Sequence, residues 1–455
     1  MSGLFGSLDT ALQSLLTQQG AMRATTDNIA NVNTQGYTRR RPVITEQVPT
    51  YASGVLMGRG VQLSSIESIR DRVLELRIAA EHQQQSGIES FINSMSGVET
   101  LFGTGDDSLG SQVQNFFNSL NELSTNPTDG SLRQGVLTSA GDLARTLNNL
   151  SQNLQNESAA IDLSVVQSLS EVNRLTTQIA NINQEVANRT AIGEEPGALE
   201  DQRTELINEL ASKIDVFVTD TPDGLTLTTV HGEPLVVAGN SYLLETSIGS
   251  DLKTRVLANG TDLTADIQGG ELGGMLRARD QDLASMQSSV DAFAYQFATA
   301  VNQVHRSGFD LDGNAAGDMF TIGAAQSGAA SRIALASANP NAVAASSDGA
   351  AGGNANLLVL MALRNSQLID GQTPAEAYSA MVFLVGSAIA NAKADEQAGE
   401  IVLGQLKDLR GAVSGVSLDE EAANLIRFQQ AYQAAARVIA TINEMLDIAV
   451  NLGAR

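Results

Sequence analysis

Eight side chains near the end of the chain, Leu425, Phe428, Tyr432, Ala435, Ile439, Ile442, Leu446 and Ala449, follow one another in alternating steps of three and four residues. An unbroken apolar heptad of this length requires a helix with a single seam, and a seam requires a second helix to cover it. The start of that helix is also marked. Ser417 and Glu420 have capping-box spacing, and Asp419, Glu420 and Glu421 place negative charge at the positive end of the helix dipole. At the other end of the chain Leu8, Leu12, Leu15, Gln19, Met22, Thr26 and Ile29 keep the same alternation, with two polar interruptions. Neither stripe has a partner nearby in the sequence. The two ends therefore pair with each other or with neighbouring subunits, and an ordinary intramolecular helix pair accounts for the pattern as well as assembly does.

Between the ends the periodicity is mainly helical. Ile88, Phe91, Met95, Val98 and Phe102 continue heptad spacing, and a long tract from about Ser139 to Arg189 carries Leu143, Leu147, Leu150, Leu154, Val172, Ile179, Ile182 and Val186. Gly193, Pro196 and Gly197 interrupt it before another helix over 198–214. Short β-branched runs then appear at 216–219, 225–230 and 235–238, separated by Pro222-Asp223-Gly224 and His231-Gly232, which is hairpin punctuation. Helical spacing resumes after Gly269-Gly270 and runs to Ser307-Gly308; Thr373-Pro374 offers a later helix start. Residues 321–356, rich in Ala, Gly and Ser, are expected as irregular strands or a mobile loop.

The fold class expected is mainly α with a small inserted antiparallel β domain, the N- and C-terminal helices pairing in a coiled-coil-like terminal domain. Its nested units are 1–65 (terminal helix and extended arm), 66–215 (first part of an inner helical domain), 216–268 (β domain), 269–411 (second part) and 412–455 (C-terminal helix). The β insert, being small, is expected to tolerate wide change.

Composition narrows the chemistry. The chain lacks cysteine, which removes thiolate nucleophiles, cysteine zinc sites and disulfides. With 27 basic and 51 acidic side chains the formal charge is -24, so nucleic acid is an improbable partner. The longest apolar stretches, 381–390 and 357–363, fall short of the roughly 20 residues of a membrane helix, and the first residues lack a cleavable signal's basic start and unbroken apolar run. No membrane insertion is expected.

Ile29-Ala30-Asn31-Val32-Asn33-Thr34-Gln35-Gly36-Tyr37-Thr38-Arg39 resembles the N-terminal signature of bacterial flagellar rod, hook and hook-associated axial proteins, which usually carry proline where Gln35 stands. Physically it reads as a helix stop: Asn31, Asn33 and Thr34 favour caps and turns, Gly36 permits a positive φ, and Tyr37 can anchor the turned chain. Residues 415–425 leading into Gln429-Gln430-Ala431-Tyr432 resemble the C-terminal signature of the hook-associated members at the hook-filament junction. Leu199-Glu200-Asp201-Gln202-Arg203, Asn302-Gln303-Val304-His305 and 308–313 are similar to internal stretches of the same family. Thr204 departs from a commoner acidic residue.

The resemblance implies a structural subunit of the extracellular flagellum, exported unfolded through the flagellar type III channel without a cleaved signal. Its implied partners are copies of itself in a ring on the flagellar axis, hook protein below, the next hook-associated protein above, and a cytoplasmic export chaperone at the C-terminal region. It implies no catalysis, cofactor or metal. The assembly interface expected comprises Leu8, Leu12, Leu15, Met22, Ile29, Asn31, Thr34, Gly36, Tyr37, Leu425, Phe428, Tyr432, Ile439, Ile442 and Leu446.

Two rival readings remain. Another axial subunit, rod or hook, shares the N-terminal signature but not the C-terminal one, and a secreted hydrolase could carry flagellar-type ends. Nothing marks a catalytic centre for the latter. Asp310-Leu311-Asp312-Gly313 is a fragment of a calcium loop with Met319 where the closing Glu belongs, and is read as a turn. Ser250-x-x-Lys253 lies in a hairpin region without companion motifs. Arg39-Arg40-Arg41 is read as a local partner for carboxylates, and His305 as a helix C-terminal residue facing the dipole.

Overall fold

The computed structural model describes residues 2–453 except Gln35, Ser53, Gly54, Thr104, Pro222 and Asp223. The proline-for-Gln35 departure and the Pro222-Asp223 turn signal therefore lie outside the described residues. Helix α1 (Ser2–Ala30) is followed by an arm of four strands, β1 (Arg40–Glu46), β2 (Thr50–Ala52), β3 (Val55–Met57) and β4 (Val61–Ser68). β1 pairs antiparallel with β4, from Arg40 opposite Ser68 to Glu46 opposite Val61, and β2 pairs with β3. The stretch expected as an extended arm is thus a hairpin. Its β1–β4 ladder lies along α1, where the Thr17 hydroxyl donates to the Val61 carbonyl.

The inner body starts with α2 (Arg72–Leu101), α3 (Leu109–Thr125), the 62-residue α4 (Gly130–Ala191) and α5 (Gly197–Lys213). Each of the first three is opened by a short polar side chain: Asp71, Ser108 and Asp129 accept first-turn N–H groups, which satisfies donors that the helix itself leaves unpaired. Two sheets follow, β5 (Phe217–Thr221), β6 (Gly224–Thr228), β7 (Pro234–Val237) and β8 (Asn240–Ser241) in sequence order, then β9 (Leu244–Ile248), β10 (Thr254–Ala258) and β11 (Thr261–Asp262) with β10 central. Helix α6 (Gly270–Arg277) passes through a π-helical turn, Ala278–Leu283, into α7 (Ala284–Arg306). Short strands β12 (Phe320–Thr321) and β13 (Ala334–Leu335) flank α8 (Ala329–Arg332). The chain closes with α9 (Ala355–Ala362), α10 (Pro374–Ser414) and α11 (Leu418–Gly453).

One apolar core runs through this body. Phe116, Phe117, Phe293, Phe297 and Phe320 cluster at its centre, with Phe116 and Phe117 edge to face at 5.4 Å. The core continues without a gap from Leu169, Val172, Leu175 and Ile179 of α4 into Leu227, Leu235, Val236, Leu244 and Val256 of the sheets. The sheets therefore close on α4, not on themselves, and the Asn183 amide adds bonds to the carbonyls of Leu225 and Ala238. This differs from a self-contained, tolerant insert. Two small sheets of four and three strands bury too little apolar surface alone. Where α2 crosses α6, a Cβ on Gly274 would overlap the carbonyl oxygen of Gly87, so only glycine permits that approach.

Residues 321–356 are irregular, yet buried polar side chains pin them. Asp291 accepts the N–H groups of Gly328 and Ala330, and Arg133, 1% exposed, donates to the carbonyls of Pro127 and Val343. The His305 Nε2 accepts the N–H of Ala344 at 3.0 Å while Nδ1 donates to the Gly317 carbonyl at 2.8 Å. His305 thus bridges two loop segments across the end of α7, a larger part than facing a dipole. Burial lowers its pKa below the ordinary value, which suits the neutral ring this geometry needs.

Thr373 and Glu376 open α10 with a complete capping box. Within Pro374–Val450 one window is long and apolar enough by composition to cross a membrane, which the shorter unbroken runs in the sequence do not suggest; a third of it is buried. Alanine and glycine link the bulky residues there into one apolar stretch, and its inward row, Ala377, Met381, Val385 and Ile389, packs into the core.

Candidate assembly surface

Helix α11 lies antiparallel along α1. The side chains of Asn28 and Glu421 meet at one end of the pair, and Ser14 and Ala435 line one groove further out. On α11 all eight heptad positions are covered: Phe428, Ala435 and Ile442 are buried and Leu425, Tyr432, Ile439, Leu446 and Ala449 half-buried. On α1 the line of closest approach differs from the expected seam. Ala11, Thr17, Ala21, Ala24, Thr25 and Asn28 are buried, whereas Leu8, Leu15, Met22 and Ile29 are half-buried flanks and Leu12, Gln19 and Thr26 are exposed. The reason is steric. α1 is enclosed by α11 on one side and by the arm on another, and small side chains let the bulky α11 residues approach.

A second set of apolar side chains on the pair faces outward. Phe5, Leu12 and Leu16 of α1 are 56%, 45% and 50% exposed, and Ile426, Val438, Met445 and Ile448 of α11 are also exposed. Exposed apolar side chains gathered on one helix pair make it the candidate interaction surface of the chain.

Beneath the pair the signature turn folds as its residue types suggest. Asn31 donates its side-chain amide to the Asp27 carbonyl, Thr34 donates to Asn31, and Gly36 takes φ +78°. A Cβ at Gly36 would also overlap Glu205. The Tyr37 hydroxyl reaches Asn28 at 2.8 Å, and burial raises its pKa, so it serves as a neutral donor. The turn is anchored from the body by Arg410, which donates to the Gly36 carbonyl.

Around the turn lies a network missed in the one-dimensional reading. Asn28, 1% exposed, accepts from the Arg40 N–H and donates to the Arg40 carbonyl and to Glu421. Arg39 forks onto Glu420 at 2.7 Å and Glu421 at 2.8 Å, Arg40 approaches Asp201, and Arg41 pairs with Glu67, so the basic triplet is shared among carboxylates as its setting suggested. Arg70 binds Asp201 at 2.6 Å, and burial holds the Asp201 carboxyl above its ordinary pKa against the pull of Arg70. Glu420 thus spends its charge on Arg39 as well as at the helix start, where Ser417 accepts its N–H at 3.5 Å. The missed residues are Asn28, Arg70 and Arg410, whose only signal was an isolated polar residue on an apolar stripe or a charge in a crowded acidic background; Asp201 stood in the family-like stretch 199–203 with no contact assigned to it.

Residues 95–320 match the family described as flagellar hook-associated protein FlgK helical domain, 411–452 that described as flagellar basal body rod FlgEFG protein C-terminal, and 8–38 that described as flagella basal body rod protein. A flagellar hook-associated protein 1 of Bacillus subtilis is 31% identical, with 99% of each chain covered; one of Escherichia coli is 26% identical over 98% of this chain and 99% of its own. The structure of the flagellar hook junction protein FlgK from Burkholderia pseudomallei has the same fold, at a TM-score of 0.68 and 18% identity over 74% of this chain and all of that one. With a 31% identical relative matched from end to end, the chain belongs to the flagellar hook-associated protein 1 family and is a structural subunit of the flagellum.

Proposed function

We propose that this chain is the adaptor at the junction of hook and filament, and that its paired end helices are the surface through which copies pack into a ring on the flagellar axis. Hook protein lies below the ring and the next hook-associated protein above it. The observation that carries this reading is the outward apolar row on the α1–α11 pair, which no described element of the chain covers. The inner body, 66–411 with the sheets at 216–268, is then a unit held at a distance by the ends at 1–65 and 412–455.

Export precedes assembly in this reading. The chain passes unfolded through the flagellar type III channel and works outside the cell, and a cytoplasmic chaperone covers the apolar rows of the C-terminal region until then. Electron microscopy of cells lacking the protein tests the adaptor role: hooks without filaments and monomeric flagellin in the medium are expected, and normal filaments on such cells overturn it. In complemented cells Met445→Asp, an outward position, should leave the folded body and export intact while the subunit is lost from hook tips.

A further inference from the structure

The apolar contact between α1 and α11 does not by itself specify how far one helix slides along the other. Counting outward equally from Asn28 and Glu421 sets Ala24, Ala21 and Thr17 against Leu425, Phe428 and Tyr432. One heptad further along α1 the corresponding residues are Thr17, Ser14 and Thr10, also small though slightly larger than the alanines. A seven-residue slide would therefore again set bulky α11 side chains against small ones.

The Glu421 carboxylate breaks this degeneracy. Its side chain is 3% exposed, and it accepts from Asn28 at 3.1 Å and from Arg39 at 2.8 Å. Asn28 is itself oriented by the Tyr37 hydroxyl and by both backbone groups of Arg40, so only one place along α1 offers this carboxylate a matched donor set. A slide would leave a buried charge without partners, the circumstance in which a polar residue fixes register. We infer that Glu421 is a positioning residue that selects a single register of the terminal helix pair, through Asn28 and Arg39. The same contact ties the pair to the body, because the Arg39 N–H donates to the Ser414 carbonyl at the end of α10 and Arg39 accepts from the Ile69 N–H ahead of α2. Register in the pair thus determines where its outward apolar row stands relative to the body.

The chain has no cysteine, so introduced pairs report without background. Ser14→Cys with Ala435→Cys reads the observed register; Ala11→Cys with Ala431→Cys reads a slide of one heptad. Disulfide closure within the purified monomer, followed as a mobility change under mild oxidation, makes the readout independent of ring assembly. The unaltered Glu421 background should favour the first pair by at least about tenfold. Glu421→Met should bring the two pairs to similar closure while the body stays resistant to protease. Glu421→Gln, which keeps an acceptor for Asn28 and Arg39, should restore the preference. Unchanged tenfold selectivity in Glu421→Met overturns the inference. Loss of both closures in that variant overturns it as well, since Glu421 would then hold the pair together instead of choosing its register.

Discussion

The fully buried guanidinium of Arg279, on the π-helical turn between α6 and α7, donates to Asp162 of α4 at 2.5 Å. It also donates to the Thr254 carbonyl, while Asp162 accepts the Thr254 N–H and Lys253 pairs with Asp280. The extra residue of the π turn aims Arg279 at β10, so one cation joins α4, the second sheet and the helix after it. Asp162→Ala should destabilise the body by about 2 kcal/mol, because a buried charge loses a partner. Asp162→Asn, still able to accept from Thr254, should cost less. Chemical denaturation of the two variants measures the difference.

His305 makes the loop contacts acid-sensitive. Its pKa is lowered in the fold by burial, with the Gly317 carbonyl pulling the other way, so protonation favours the unfolded state. The stabilisation is complete above the ordinary histidine value of about 6.5 and is lost as pH falls through the lower folded value. Protonation would set a ring N–H against the Ala344 N–H. Amide exchange in 309–346, corrected for intrinsic rates, should accelerate between pH 7.5 and 5, roughly the range in which an ordinary histidine changes charge. The change should vanish in His305→Asn, whose side chain does not titrate.

The covered seam has its own test. Ile439→Asp places a carboxylate against α1 at a cost of about 3 kcal/mol to the helix pair. The body has a separate core, so its protease-resistant fragment and the secretion of the chain should be unchanged. Immunogold labelling of hook tips should show the variant missing.

Replacement of residues 219–266 by a Gly/Ser linker should expose Leu169, Val172, Leu175 and Ile179 of α4. A lower melting temperature and increased binding of a hydrophobic dye are expected. Outward-facing Phe217, Val230 and Ile248 are different, being 63%, 61% and 75% exposed. Serine at each should leave stability within about 0.5 kcal/mol of the parent.

Much of the fold was legible because its signals are local. The α11 seam needs only the heptad, the starts of α10 and α11 only their caps, and the β6–β7 hairpin only its His231-Gly232 turn. The two signatures also placed the chain in its family before any contact was known. On α1, by contrast, spacing pointed to Leu12 and Gln19, and the structure buries Ala21 and Ala24. Periodicity tells which residues share a face but not which part of that face is approached most closely when two neighbours compete for it.

The sequence by itself determined that this chain is helical at both ends, carries β structure in the middle and contains no cysteine chemistry. Each of these follows from residue type and from spacings of a few positions. Tertiary structure alone decided that the two ends are each other's partners, that the sheets share the core of α4, and that Asn28, Arg39 and Glu421 form one contact. Asn28 and Glu421 are 393 residues apart. A charge or an amide states only that it needs a partner when buried; which partner it finds depends on where the whole chain has been folded.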